Sequence, residues 1–313
     1  MKNPLLDPPI DCDKSDTCAK GIKSSGLTPI ATTFSNNARD INDMLVLPGA
    51  FLKRGISMGL RVGEAKATLG PRAELDLSKA RRLSEQILQS WENCVSDDEF
   101  GAELDDAVTQ DISHLTRSSQ PIRACIDLLL RASIASAWTM FECLAADTWE
   151  ALVNSRPRNL IQGAVAFIPG IEEKDYTARK GISVGDLVKH GFDLRNSLGS
   201  LLKVRYNFTG MDDIGKAYFA IFPANSGSGL EIGRVVQSHD LYVLQACRNL
   251  VVHRGGLVDE AFRRMTKHEF PDCAVGTPLP VDGPLVSQLV NASITCGCDL
   301  LTFADDFLVR TEH

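Results

Sequence analysis

The sequence predicts a mainly α-helical fold, a helical bundle with an extra N-terminal helical region. Three observations carry that reading. From Ile122 the residues Ile126, Leu129, Leu130, Ile134, Ala137, Phe141, Leu144, Thr148 and Leu152 recur at helical intervals until Pro157, a run of roughly nine turns at 3.6 residues each. A second stripe near the end contains Leu289, Ile294, Leu300, Leu301 and Phe307. No alternating strand pattern of comparable length competes with these. With 313 residues, 44% hydrophobic and 23% charged, the chain has ordinary globular composition and enough length for one large core or two modest ones.

Residues 1–40, rich in Pro, Asp, Ser, Asn and Thr, predict an irregular arm. Residues 41–118 form an accessory, mainly helical region. Within it Gly55, Gly59 and Gly63 favour an irregular packing segment, and no Gly-Lys-Ser/Thr ending suggests a phosphate loop. Leu77, Ala80, Leu83, Ile87, Leu88 and Trp91 predict a helix over 75–94, and an acidic one follows over 100–115. Gln120 and Pro121 open the long helix, since proline is tolerated in a first turn. The stretch 157–182 is mixed. Ser183 and Asp186 resemble a capping box for a helix to about Val204. Helices are expected over 211–222, 235–254, 258–268 and 285–309, with a loop over 225–229 and glycine caps at Gly255 and Gly256.

Several function classes are excluded or disfavoured. The formal net charge of −7 rules out a uniformly basic nucleic-acid binder, so any such contact needs a local patch. Prolines and aspartates interrupt the start, so no export signal is expected. Asp127, Arg131, Glu142 and Asp147 make the long apolar helix too costly for a lipid span, so it is read as a core helix with no membrane partner. Nine cysteines without CxxC spacing are read as reduced packing residues of a cytoplasmic protein, and no metal or other cofactor is assigned.

The chemistry-bearing segment is Cys247-Arg248-Asn249-Leu250-Val251-Val252-His253-Arg254-Gly255-Gly256. Arg248 offers a permanent planar fork for phosphate oxygens, His253 can exchange a proton near neutral pH, and Asn249 can orient either. Positions five apart on a helix diverge by roughly 140°. The two groups therefore meet if the helix loosens, if the arginine curls round, or if a symmetric copy supplies its own pair. The third solution is preferred here. Cys247 is read as packing rather than as a nucleophile.

Arg248-Asn249-x-x-x-His253 resembles the R-x4-6-H signature of the HEPN superfamily (higher eukaryotes and prokaryotes nucleotide-binding). The similarity covers residues 119–311, read as a HEPN-like helical domain, with an insertion expected within 157–235. The resemblance implies a metal-independent endoribonuclease acting as a homodimer, with toxin or antiviral roles and an antitoxin or regulatory partner. Glu142 on the long helix is expected either to support Arg248 by pairing or to lie on the surface.

Ribonuclease chemistry needs few parts, because RNA carries its own nucleophile in the 2′-hydroxyl. Arg248, Asn249 and His253 are expected to serve as charge clamp, orienter and acid or base. From Arg248 to His268 the basic residues Arg248, Arg254, Arg263, Arg264 and Lys267 face only Asp259 and Glu260. Arg254, Arg263, Arg264 and Lys267 read either as an RNA backbone track or as a solvated helix face. The alternative function is a noncatalytic HEPN-like nucleotide-binding, nucleic-acid-binding or assembly module.

Overall fold

The structure, a computed structural model, describes residues 5, 6, 8–69, 98–156, 160, 185, 188, 191, 193–266, 269, 270 and 272–310. Among them the chain is mainly helical and contains no strand, only an isolated bridge between Leu257 and Pro278. The helices are α1 (Cys12–Gly21), α2 (Thr28–Leu69), α3 (Asp98–Ser118), α4 (Gln120–Ser155), α5 (Leu194–Lys203), α6 (Met211–Ile221), α7 (Gly227–Val236), α8 (His239–His253), α9 (Glu260–Thr266) and α10 (Gly283–Arg310).

The chain divides into two compact units. The first comprises Met1–Pro9 and Asp43–Leu130, and the second Ile10–Asn42 and Arg131–His313. The divisions fall between Asn42 and Asp43 and between Leu130 and Arg131, beside the boundaries expected at 40 and 118. Residues 10–42 belong with the C-terminal unit, and the division on the other side falls inside α4.

The irregular arm expected over 1–40 is corrected, because α1 and the start of α2 are regular helices. Asp11 caps α1 by accepting a hydrogen bond from the Lys14 N–H at 3.1 Å. Leu27, Ala31, Phe34, Ala38 and Ile41 are all buried. Their three- and four-residue spacing is a helical stripe. Two of the five are alanines set among polar residues, which hides the stripe from a reading that weighs large apolar side chains. The glycine-containing stretch expected to be irregular continues α2 to Leu69, with Pro48 inside the helix.

In the first unit, α3 contributes Val108 and Ile112, and the start of α4 contributes Ile126 and Leu130, as buried residues. The helix expected over 75–94 lies outside the described residues, as does most of 157–193.

The second unit is built round α4 and α10. Ile134, Ala137, Trp138, Phe141, Ala145, Trp149 and Leu152 are fully buried along one helix. The Trp149 indole N–H donates to the Ala217 carbonyl at 2.9 Å, and the Tyr218 hydroxyl donates to the Ala145 carbonyl at 2.8 Å. These bonds let two large aromatic side chains sit in the core with their polar ends satisfied. They also make α6 integral to the bundle. Within the stretch expected to hold an insertion, the residues of α6 pack into the core. On the other side, Ser293 of α10 donates to the Ala137 carbonyl at 3.1 Å within the interior.

The single helix expected over 235–254 is two helices. Ser226 accepts from the Gly229 N–H at 2.9 Å and caps α7 inside the segment expected as loop. α7 ends at Val236, and α8 starts after Ser238. Among the described residues α4 is the helix long and apolar enough to cross a membrane by length and composition. Its fully buried residues between Ile134 and Leu152 are covered by protein within the second unit.

Candidate active site

α8 is held by its apolar face. Leu241, Leu244, Cys247 and Leu250 are buried at successive helical turns, and the helix packs on α9 and α10. That burial fixes the rotation of α8 and leaves Arg248 and Asn249 half-buried and His253 exposed at its end.

The end itself is set by two glycines. Gly255 and Gly256 have φ of 61° and 82°, a left-handed conformation costly for side chains with a Cβ. The Arg254 and Gly256 N–H groups both donate to the Leu250 carbonyl, at 3.0 and 2.8 Å. The helix is thereby closed directly beyond His253. The chain then leads through the bridge at Leu257 to Asp259, whose carboxylate accepts from the Phe262 N–H at 2.8 Å and caps α9.

Arg248 and His253 meet within one chain. One guanidinium nitrogen of Arg248, Nη1, lies 3.1 Å from Asn249 Oδ1 and 3.2 Å from His253 Nε2. The arginine curls round the helix and spans the angular gap unaided, so the contact needs no second copy. A guanidinium has donors only. Nε2 must therefore accept, which places the ring proton on Nδ1 in this geometry. Asn249 takes the other Nη1 hydrogen and fixes the orientation of the fork. All three expected catalytic residues are brought together.

Glu142 is not brought to Arg248. Among the described residues, neither Arg248 nor His253 forms an ion pair with a carboxylate. The residue of α4 that reaches the motif is Arg131, whose Nη1 lies 3.4 Å from the Gly255 carbonyl oxygen. Eleven residues separate it from Glu142, roughly 16 Å along a helix axis. Arg131 escaped the sequence reading as a site residue. Its signal was there: a basic residue at the edge of a long apolar stripe, where a charge needs a polar partner.

The basic track resolves unevenly. Arg263 and Arg264 are exposed on α9. Arg254 is engaged with Asp259 at 3.5 Å, which reduces its availability for a phosphate. Lys267 lies outside the described residues. Cys247 is buried beside the cluster, and burial first, then the Glu269 charge, pushes its thiol up to about 12. It stays protonated at neutral pH and packs rather than attacks. Among the described residues no group of three or more His, Cys, Asp or Glu side chains could hold a metal ion.

The arrangement offers a fixed cation beside an imidazole acceptor, open to solvent. The guanidinium can hold an anionic oxygen, and an Nε2 released from it can take a proton from a neighbouring hydroxyl. Comparisons with protein-family models, curated proteins and solved structures found no match to this chain.

Proposed function

We propose that this protein is a metal-independent endoribonuclease of the HEPN type. The observation that carries the proposal is the 3.2 Å contact between Arg248 Nη1 and His253 Nε2 on an exposed helix end. It supplies the two elements that intramolecular RNA cleavage requires. As the substrate phosphate draws the guanidinium onto itself, the Nε2 lone pair is freed to accept the proton of the 2′-hydroxyl, whose oxygen attacks the adjacent phosphorus. A guanidinium that is always charged neutralises the crowded phosphorane as its negative charge grows. Asn249 keeps the fork aimed. The bond to the 5′-oxygen breaks, that oxygen takes up a proton, and the products are a 2′,3′-cyclic phosphate and a 5′-hydroxyl.

The second proton transfer favours a homodimer in this proposal. One chain presents one imidazole at this cluster, and a partner copy would supply another as acid. The resemblance extends the proposal to a cytoplasmic toxin or antiviral effector, neutralised or triggered by a regulatory protein.

The same single imidazole is the observation behind a second reading. A noncatalytic module would use Arg248 to hold a nucleotide or nucleic-acid phosphate without cleaving it. RNA cleavage by wild type, Arg248→Ala and His253→Ala, each verified as folded, tests the proposal. Loss of cleavage in both variants, with DNA intact and chelator without effect, is expected. Equal cleavage by all three overturns the enzyme reading. A folded wild type that binds RNA and leaves it whole establishes the second.

A further inference from the structure

α1 is fastened along α10 by polar bonds at its first turns. The Asp11 N–H donates to Asn291 Oδ1 at 2.8 Å, and Lys14 Nζ donates to Thr295 Oγ1 at 2.9 Å. One turn further on, this packing sets two cysteines face to face. Cys18 Sγ lies 3.7 Å from the Cys298 carbonyl oxygen, and Cys298 Sγ lies 3.8 Å from the Lys14 carbonyl oxygen. Each thiol thus donates to the backbone of the opposite helix, beside the other cysteine. Both are free. They differ in access, since Cys18 is half-exposed while Cys298 is buried on the core face of α10.

We propose that Cys18 and Cys298 form an oxidation site at which a hydroperoxide closes a disulfide between α1 and α10. The Cys18 thiolate attacks the peroxide oxygen, becoming a sulfenic acid while the O–O bond breaks. The Cys298 sulfur then attacks the Cys18 sulfur and displaces its oxygen as water. Two thiol hydrogens and two electrons leave the pair, and the hydroperoxide becomes one water and one alcohol, or two waters where it is hydrogen peroxide.

The surroundings assign the two roles. Cys298 beside it holds the Cys18 thiol below its ordinary value against the opposing effect of burial, with help from the Thr302 hydroxyl and Lys14. The same contact, with burial, pushes Cys298 up. An accessible thiol that ionises readily beside a protonated one is the arrangement of an attacking and a resolving cysteine. By contrast Cys143 is exposed, and burial of its sulfur with the Asp147 and Glu142 charges pushes its thiol up.

The test is peroxide treatment of the intact folded protein, followed by blocking of free thiols and peptide mass mapping. The expected product is a peptide pair joined through Cys18 and Cys298, two hydrogens lighter, formed at least about tenfold faster than Cys143 is oxidised. In Cys298→Ser the resolving sulfur is gone, and Cys18 is expected to accumulate as a sulfenic acid captured by a 1,3-diketone probe. Wild-type Cys18 that stays fully alkylatable after peroxide overturns the proposal. So does a two-hydrogen loss that persists in Cys18→Ser. The wild-type mapping decides the matter even if a variant fails to fold, and neither outcome depends on the ribonuclease reading.

Discussion

The Arg131 guanidinium lies over Gly256 so closely that a Cβ there would stand 1.8 Å from Nη1. Gly256 thus answers two demands at once, a φ of 82° and room for an arginine. The arginine in turn lies 3.4 Å from the Gly255 carbonyl. It braces the turn that closes α8 directly after His253.

Gly256→Ala is therefore expected to destabilise the second unit by about 1–2 kcal/mol, from left-handed strain together with the lost Arg131 contact as its flexible end swings aside. Part of that loss is expected to return in the Arg131→Ala background, where only the strain persists. Urea unfolding of the two single variants and the double variant measures the coupling, expected to be at least about 0.5 kcal/mol. Strictly additive losses would mean that the arginine does not constrain the glycine.

At the cluster itself, His253 is exposed and contributes little burial, so His253→Ala is expected to change stability by no more than about 0.5 kcal/mol. Its RNA cleavage is expected to fall by roughly 100- to 10,000-fold. Arg248→Ala is expected to lose activity on a similar scale. The double variant is expected to be little worse than either single one, because the two groups act as a unit. A double variant whose losses multiply would instead assign them independent roles.

The helical class was legible because α4 and α10 carry large apolar residues at regular spacing over many turns. The motif was legible because Arg248, Asn249 and His253 lie within one helix, where sequence separation fixes geometry. What escaped depended on distant partners. The stripe Leu27–Ile41 becomes a core face only when α10 covers it, and Gly297 there leaves the gap that the Phe34 ring fills. Arg131 joins the site across 124 positions of chain, which no local periodicity reports. Glu142 makes no ion pair with Arg248 among the described residues, which leaves the surface role that the sequence allowed equally.

Acid sensitivity is expected from Asp305. Its carboxylate accepts the Lys23 N–H at 3.1 Å and the Ser24 N–H at 2.7 Å, pinning the link between α1 and α2 onto α10. Burial works against its charge, but the Ser24 side-chain and N–H hydrogen bonds and the Lys23 N–H outweigh it, holding the carboxyl below its ordinary 3.8. A depressed folded value means that the unfolded chain binds the proton more readily. The stabilisation is complete above the ordinary value and is lost as pH falls through the lower folded one. Asp305→Asn is expected to cost about 1–2 kcal/mol at neutral pH. Its deficit is expected to shrink as pH is lowered below 3.8. A gap between variant and wild type that stays constant with pH would remove this carboxylate from the acid response.

Thr148 and Trp149 are neighbours on α4, both fully buried, and substitutions that remove their polar groups are expected to act in opposite directions. Among the described residues the Thr148 hydroxyl has no hydrogen-bond partner, whereas the Trp149 N–H bonds the Ala217 carbonyl. Thr148→Val keeps the branched shape and deletes an unpaired polar atom, with an expected gain of about 1 kcal/mol. In thermal unfolding that corresponds to a rise of roughly 2–4 °C. Trp149→Phe leaves the Ala217 carbonyl without its donor and opens space beside Tyr206, whose ring centroid lies 4.9 Å from that of the indole. It is expected to cost about 2 kcal/mol or more. If Thr148→Val instead lowers the midpoint, the hydroxyl is satisfied in solution, and the core about α4 holds a polar contact that its packing alone does not supply.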